Sequence, residues 1–461
     1  MNYVSTRGDA RATTFSDALL RGLAPDGGLY MPARWPTLDA AAIRAAAGRP
    51  YADLAADILS AFAGGSLSDT VIRAAAQRLS DTFHHAAVTP LVQLEPNLWL
   101  LELFHGPTAA FKDLAMQMMA VLTDAALEGT GQRLLLLTAT SGDTGAAAVR
   151  AFAGAKSVDL AVLHPLDRVS PVQRRQMTTV DAPNVLNLAV RGDFDDCQRL
   201  VKAILADESL RDRGRVSSVN SINWGRLAGQ VPYYVAAAAA LGAPHVAPRF
   251  VVPTGNFGDA FAGWAARAMG VPLTLIAAVN RNDALARALN RGRYERTAAD
   301  PTASVSMDVQ APSNFERLVF EASGRDAGIT RGFFETFGRD GAVDIAPDLL
   351  AALRAETAAV SIDEDRTRAE IAHAWKAYGR VICPHTAVAL AAARDLPREG
   401  GPVVALATAH PAKFPESVAP VLGFAPPIPP ALAAITGGKE RLTVIDADLD
   451  QALGAVRDLQ N

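Results

Sequence analysis

Phe250-Val251-Val252-Pro253-Thr254 runs directly into Gly255-Asn256-Phe257-Gly258-Asp259, and a helical stretch over 259–269 follows. An apolar run, a glycine-rich turn and a helix in that order form part of a βαβ unit, the building block of parallel α/β sheets. The turn also has the composition of an anion cradle. Glycines let backbone N–H groups approach a phosphate closely, and amides at a helix start carry partial positive charge. It is neither the phosphate loop ending in Gly-Lys-Ser/Thr nor the dinucleotide G-x-G-x-x-G fingerprint. A second stretch, His105-Gly106-Pro107-Thr108-Ala109-Ala110-Phe111-Lys112-Asp113, puts a lysine at the start of a helix. An aldehyde cofactor with a phosphate handle needs both features: an amine to form a Schiff base and backbone donors for the phosphate. The pairing points to pyridoxal 5'-phosphate (PLP) on Lys112. A cation is disfavoured at a helix N-terminus, which favours a neutral nitrogen there.

Outward from these stretches, short β runs alternate with helices from about Thr89 onward. The expected strands are Leu98–Leu103, Leu134–Thr138, Leu160–Leu163, Val185–Val190, Phe250–Val252, Leu273–Val279 and Val403–Ala407. The expected helices are Asp113–Leu127, Gly145–Ala153, Pro171–Met177, Cys197–Ala206, Gly229–Leu241 and Asp259–Met269. Such alternation predicts largely parallel sheets. The helix after Lys112 reads as amphipathic, with Leu114, Met118, Val121 and Leu122 on one face. The first ~85 residues read mostly as helix: Phe15, Ala18, Leu19, Gly22 and Leu23 recur at helical spacing, Ser16 is a candidate cap, and Asp69 opens a later helix. Three parts follow: a mainly helical N-terminal domain over 1–88, a large α/β domain over 89–130 and 236–461 with a helical insertion at about 283–386, and a small α/β domain over 131–235.

The chain has 461 residues, 50% hydrophobic and 20% charged, and a formal net charge of -4. That balance suits a globular protein and gives no reason to expect nucleic acid or an anionic membrane as partner. The first residues lack a basic segment followed by an apolar core, so no signal peptide is expected. No apolar run is long enough to span a bilayer. Two isolated cysteines, Cys197 and Cys383, argue against a disulfide framework or a zinc site. The expectation is a cytoplasmic enzyme without a metal.

Three further loops are rich in polar groups. Thr138-Ala139-Thr140-Ser141-Gly142-Asp143-Thr144-Gly145 joins a strand to a helix and reads either as an anion-binding loop, for instance for a substrate carboxylate, or as a capped turn. Asn220-Ser221-Ile222-Asn223-Trp224-Gly225-Arg226 is dense in donors, and Arg226 has the fork geometry for phosphate. Arg168 competes with it, while Arg174 and Arg175 read as a solvated helix face. Thr408 follows the last buried strand, where parallel sheets bind ligands beyond strand C-termini. His105, His385 and His410 are either acid–base groups or hydrogen-bonded structural residues, and His84-His85 lies in a polar stretch.

Taken in order, these motifs closely resemble threonine synthase, a fold-type-II PLP enzyme family. The resemblance covers nearly the whole chain. Its further carriers are Pro25-Asp26-Gly27-Gly28-Leu29-Tyr30, Gly192-Asp193-Phe194-Asp195-Asp196-Cys197-Gln198, Pro312-Ser313-Asn314-Phe315-Glu316-Arg317 and His410-Pro411-Ala412-Lys413-Phe414. It implies a tryptophan-synthase-β-like fold with two parallel-sheet domains and the longer branch's N-terminal helical domain. It also implies conversion of O-phospho-L-homoserine and water to L-threonine and phosphate by a monomer or homodimer. By position, it implies that Lys112 is the catalytic Schiff-base residue. Gly255, Asn256, Phe257, Gly258 and Asp259 would line the PLP phosphate, and Thr408 would meet the pyridine nitrogen. Thr140, Ser141, Gly142, Asp143 and Thr144 would take the substrate carboxylate. Asn220, Ser221, Asn223 and Arg226 are assigned to the substrate's phosphate. Asp143 stands where many relatives carry asparagine, and a carboxylate cannot donate to a phenolate unless protonated. Ile382-Cys383-Pro384-His385 lacks the acidic residue that many relatives have before the proline. The competing readings are a serine/threonine dehydratase, a β-replacement synthase and a non-catalytic PLP-binding relative.

Overall fold

A computed structural model describes residues 1–207, 210, 215–435 and 437–460. The N-terminal region is mainly helical, with helices Phe15–Arg21, Ala40–Ala46, Tyr51–Ala63 and Asp69–Thr82. It also contains an antiparallel pair that the sequence reading lacked, β1 (Tyr3–Ser5) against β2 (Tyr30–Pro32). Three residues per strand are too few to show alternation. The first helix is capped by Thr14 and not by Ser16: Thr14 accepts from the Asp17 amide and Asp17 reaches back to the Thr14 amide. The Ser16 hydroxyl instead bonds Ser66.

The remaining strands, in chain order, are β3 (Leu91–Glu95), β4 (Leu98–Glu102), β5 (Leu134–Ala139), β6 (Val158–Pro165), β7 (Val185–Arg191), β8 (Arg215–Ser218), β9 (Arg249–Pro253), β10 (Thr274–Val279), β11 (Arg293–Glu295), β12 (Ala342–Asp344), β13 (Ala358–Ser361), β14 (Val403–Ala407) and β15 (Thr443–Asp446). The larger sheet has the order β13-β10-β9-β14-β4-β3 and the smaller one β15-β7-β6-β5-β8. All neighbours are parallel except β3, which forms a hairpin with β4. Central strands such as β5, Leu134-Leu135-Leu136-Leu137-Thr138-Ala139, are buried throughout, as both covered faces of a parallel sheet require.

Several elements differ from the sequence reading. The helix Lys112–Leu127 is not amphipathic: Asp113 to Ala120 are all buried, and of the four residues assigned to one face only Val121 is partly exposed. It is a central helix packed on several sides. The helix expected over 229–241 is Val231–Ala240, with Pro232 in its first turn, and a separate short helix, Trp224–Ala228, precedes it. The segment 283–386 contains β13, which forms an edge of the larger sheet, so it is more than a helical insertion. The end of the chain, assigned above to the larger domain, adds to the smaller sheet. Strand β15 pairs with β7, and Ile445, Leu453 and Val456 share a core with Leu188, Val190 and Leu200. This four-residue strand is not among those expected from sequence, and its short run carries no mark of the sheet it joins.

Candidate active site

Three adjacent parallel strands, β9, β14 and β4, end on one edge of the larger sheet. The loop after β4 leads to Lys112, the turn after β9 is Gly255–Asp259, and Thr408 follows β14. The sheet therefore brings the three expected cofactor elements to one place, beyond the strand C-termini. The Phe111 amide donates to the Thr408 carbonyl at 2.8 Å, tying two of these loops together. The Thr408 hydroxyl makes no hydrogen bond among the described residues.

The turn has the local structure of an anion cradle. Among the described residues, none of the consecutive amides from Gly255 to Asp259 donates to the chain, although Gly258 opens the helix Gly258–Ala268. Such a run of unpaired donors at a helix start suits a phosphate. Phe257 holds φ of 60°, a left-handed conformation that costs a non-glycine residue roughly 1–3 kcal/mol and clusters at ligand sites. A Cβ at Gly255 would lie 2.5 Å from the Ser306 carbonyl oxygen, so only glycine fits. Asp259 Oδ1 accepts from the Tyr233 and Tyr234 hydroxyls at 2.5 and 2.7 Å, and Oδ2 has no partner among the described residues. Burial pushes its carboxyl up to about 6. The Asp259 amide is thus a free donor at the turn, and its Oδ1 is a buried structural acceptor.

Loops after β5 and β8, neighbours in the smaller sheet, form the facing wall. Thr140 Oγ1 accepts from the Gly142 and Gly145 amides, both at 2.9 Å, so its hydroxyl oxygen is a capping group. The amides of Ser141, Asp143 and Thr144 remain without a partner among the described residues, as do the Ser141 and Thr144 hydroxyls. Asp143 turns toward Lys112: its Oδ2 lies 3.3 Å from Lys112 Nζ, and its Oδ1 lies 2.8 Å from Lys413 Nζ and accepts from Gln173 Nε2 at 2.8 Å. Burial works against the Asp143 carboxylate, yet the Lys413 and Lys112 ammoniums outweigh it and hold the carboxyl well below the usual range. Burial likewise lowers the proton affinity of Lys112, which Asp143 partly restores and Arg226 and Lys413 lower further.

The Asn220–Arg226 segment divides into two parts. Asn223 is a structural cap: its Nδ2 donates to the Leu19 and Ser218 carbonyls and its Oδ1 accepts from the Gly225 amide. Both amide hydrogens are committed, which corrects its assignment to substrate phosphate. Asn220 Oδ1 accepts from Thr138 Oγ1 at 2.7 Å, and Ser221 Oγ accepts from Asn314 Nδ2 at 2.9 Å. Arg226 is 2% exposed. Its Nη1 donates to the Val219 carbonyl at 2.8 Å, and its Nε has no partner among the described residues. Burial pulls its guanidinium down to about 10. A buried cation with an unpartnered Nε and no acidic partner among the described residues is a candidate anion site; Arg317, equally buried, has all its nitrogens bonded. Arg168 is exposed, and Arg174 and Arg175 pair with Glu440.

Sequence reading missed Lys413, Gln173, Ser306 and Arg317. Lys413 had a signal: a lysine two residues beyond a proline in an otherwise apolar segment after the last buried strand. Arg317 is fully buried and donates to the Tyr30, Ser221 and Ile222 carbonyls and to Asn314 Oδ1, bracing the Asn220–Arg226 segment. The three histidines are hydrogen-bonded: His105 Nε2 pairs with Glu102, His385 Nε2 accepts from the Ser306 amide, and His410 Nδ1 accepts from the Ala412 amide. Burial lowers His385 and His410 to about 4, so both are neutral near pH 7.

Comparison with known proteins identifies the family. Residues 2–79 match the family model for the threonine synthase N terminus, 82–337 the model for pyridoxal-phosphate dependent enzymes, and 386–456 the model for the threonine synthase C-terminal region. The threonine synthase of Pseudomonas aeruginosa is 44% identical over 452 residues, covering 97% of this chain and 96% of that one. Among solved structures, the PLP-bound threonine synthase of Brucella melitensis superposes with a TM-score of 0.96 at 46% identity over 100% of both chains. The yeast threonine synthase superposes with a TM-score of 0.92 at 34% identity, over 99% of this chain and 98% of that one. An amide cradle and a partly buried lysine at one sheet edge, a buried arginine with a free Nε on the facing wall and matches along the full length lead to one assignment: the chain belongs to the threonine synthase family of fold-type-II PLP enzymes.

Proposed function

We propose that the chain is a threonine synthase, a PLP-dependent lyase that converts O-phospho-L-homoserine and water to L-threonine and phosphate by γ-elimination and β-addition. One observation carries the substrate reading: two separate candidate anion sites, the amide run Gly255–Asp259 and the uncompensated Arg226, flank the partly buried Lys112. A dehydratase or β-replacement enzyme needs a phosphate site for its cofactor only. The threonine synthase models that match both ends of the chain favour the same choice.

The residues divide the work. Amides of Gly255, Asn256, Phe257, Gly258 and Asp259 would hold the cofactor's phosphate, and the Thr408 hydroxyl would meet its ring nitrogen. When bound there, PLP supplies an electron sink for carbanionic substrate carbons. Ser141, Thr144 and the free amides of the Asp143 helix start receive the substrate carboxylate. Arg226, with Asn220 and Ser221, receives the substrate's phosphate. Lys112 is the base that moves protons at Cα and Cβ, and its lowered proton affinity leaves more of it in the neutral, proton-accepting form. Two free, buried cysteines suit a cytoplasmic location, and among the described residues no helix is long and apolar enough to cross a membrane.

The test is release of threonine and inorganic phosphate from O-phosphohomoserine, with phosphoserine, serine and threonine as comparison substrates. Turnover of O-phosphohomoserine well above the others is expected. Turnover of serine or threonine with none of O-phosphohomoserine would overturn the reading.

A further inference from the structure

Lys413 sits in the one-turn helix Pro411–Lys413 after β14 and is 0% exposed. Fully buried lysines are rare unless paired. This one spans two walls of the site. Its Nζ lies 2.8 Å from Asp143 Oδ1 on the smaller-sheet side and donates to the Thr108 carbonyl at 2.8 Å on the larger-sheet side. Thr108 is in turn held by the residue after Lys112: its amide and hydroxyl donate to Asp113 at 2.8 and 2.7 Å. Gln173 Nε2 adds a second donor to Asp143 Oδ1. With Oδ1 saturated, the carboxylate has a fixed orientation, and Oδ2 is left for Lys112 at 3.3 Å and for the Ser306 hydroxyl at 3.5 Å.

We propose that Lys413 is a positioning residue for this reaction: it clamps Asp143 through one carboxylate oxygen so that the other stays turned to the Lys112 nitrogen, and it balances the carboxylate's charge when that nitrogen gives up its proton. The inference rests on the reading of Lys112 as the cofactor-bearing lysine. It also gives Asp143 a role other than contact with the substrate carboxylate, which its own negative charge would repel.

The charge balance fixes the direction of the effect. Lys112 lies among Asp143, Lys413, Arg226, His385 and Asp259, with Asp113 next to it in sequence. When the Lys112 nitrogen is neutral, Asp143 and Lys413 form a neutral pair. Without Lys413, the same event leaves an unbalanced buried carboxylate, so the nitrogen holds its proton to higher pH. Without the Asp143 charge, the nitrogen faces Lys413 and Arg226 alone and loses its proton at lower pH. The two substitutions therefore act in opposite directions, which a purely structural role for either residue does not predict.

The experiment compares Lys413→Met, Lys413→Arg and Asp143→Asn as substrate-free holoenzymes. The readouts are the pH midpoint of the bound cofactor's absorption and, after cofactor removal, the pH midpoint for acylation of Lys112. Borohydride attachment to Lys112 is checked first on the wild type, and attachment elsewhere overturns the underlying reading before any variant is compared. The midpoint should rise by roughly one pH unit or more in Lys413→Met, a tenfold change in proton affinity. It should fall in Asp143→Asn and stay near wild type in Lys413→Arg. An unmoved or lowered midpoint in Lys413→Met overturns the proposal. If Lys413→Met does not fold, Asp143→Asn decides, and an unmoved or raised midpoint there overturns it.

Discussion

Arg226→Met should move stability and function in opposite directions. In the ligand-free chain the guanidinium is buried, bonded to one carbonyl and without an acidic partner among the described residues. Burial pulls it from the ordinary guanidinium range down to about 10. At about 1.4 kcal/mol per tenfold change in proton affinity, that drop corresponds to roughly 3 kcal/mol of unfavourable burial at neutral pH. The sign follows directly: a base whose folded value is depressed destabilises the fold while it is charged, and the penalty is full below the folded value, shrinks above it and is gone only above the unfolded value. Methionine keeps much of the volume without the charge, so the variant should melt no earlier than the wild type. With substrate the balance reverses. Loss of the cation from a desolvated pair costs about 2–5 kcal/mol, roughly 30- to 5000-fold in kcat/KM for O-phosphohomoserine. PLP content should stay near wild type. The assays are a thermal melt, a cofactor titration and steady-state kinetics on one preparation. Loss of PLP would place Arg226 at the cofactor's phosphate, and unchanged kcat/KM would refute the assignment.

Asn223→Ala should show the converse pattern: loss of the bonds to the Leu19 and Ser218 carbonyls costs about 1–3 kcal/mol of stability, with KM for O-phosphohomoserine unchanged in the folded fraction. Asp259→Asn tests the buried acceptor. Its folded value of about 6 exceeds the ordinary 3.8, so its contribution is fully present below pH 4 and is lost as pH rises through 6. The asparagine variant, melted without cofactor, should therefore gain on the wild type between pH 4 and 7 by up to about 3 kcal/mol, and no gain would count against a lone raised carboxyl. Thr408→Val should lower PLP affinity and rate with little loss of stability, and Thr408→Asp should shift the cofactor's absorption and its pH dependence. Normal spectra and turnover in both would remove Thr408 from the cofactor.

Much of the site could be read from sequence because it is built on strand ends. The apolar runs before Gly255, Thr140 and Thr408 mark strands, and a residue just past a parallel strand reaches the ligand edge whatever the rest of the chain does. Side-chain direction could not be read this way. Asp259 and Asn223 have the right types in the right loops, yet one bonds two tyrosines from a preceding helix and the other a carbonyl 204 residues away in sequence. Lys413 was missed for a related reason, since its partner Asp143 comes from the other sheet and only tertiary packing pairs them. Edge strands were the weak point of the fold reading: β8, Arg215-Val216-Ser217-Ser218, is short and polar, and β15 gives no sign of the sheet it joins.

In the proposed site the amine at Lys112 and the cradle at Gly255–Asp259 hold one PLP molecule, and borohydride reduction of the holoenzyme followed by peptide mapping tests that arrangement. The cofactor should become fixed to the peptide containing Phe111-Lys112-Asp113, and Lys112→Ala should abolish both label and turnover while the chain stays folded. Label on a different lysine, Lys413 above all, would contradict it.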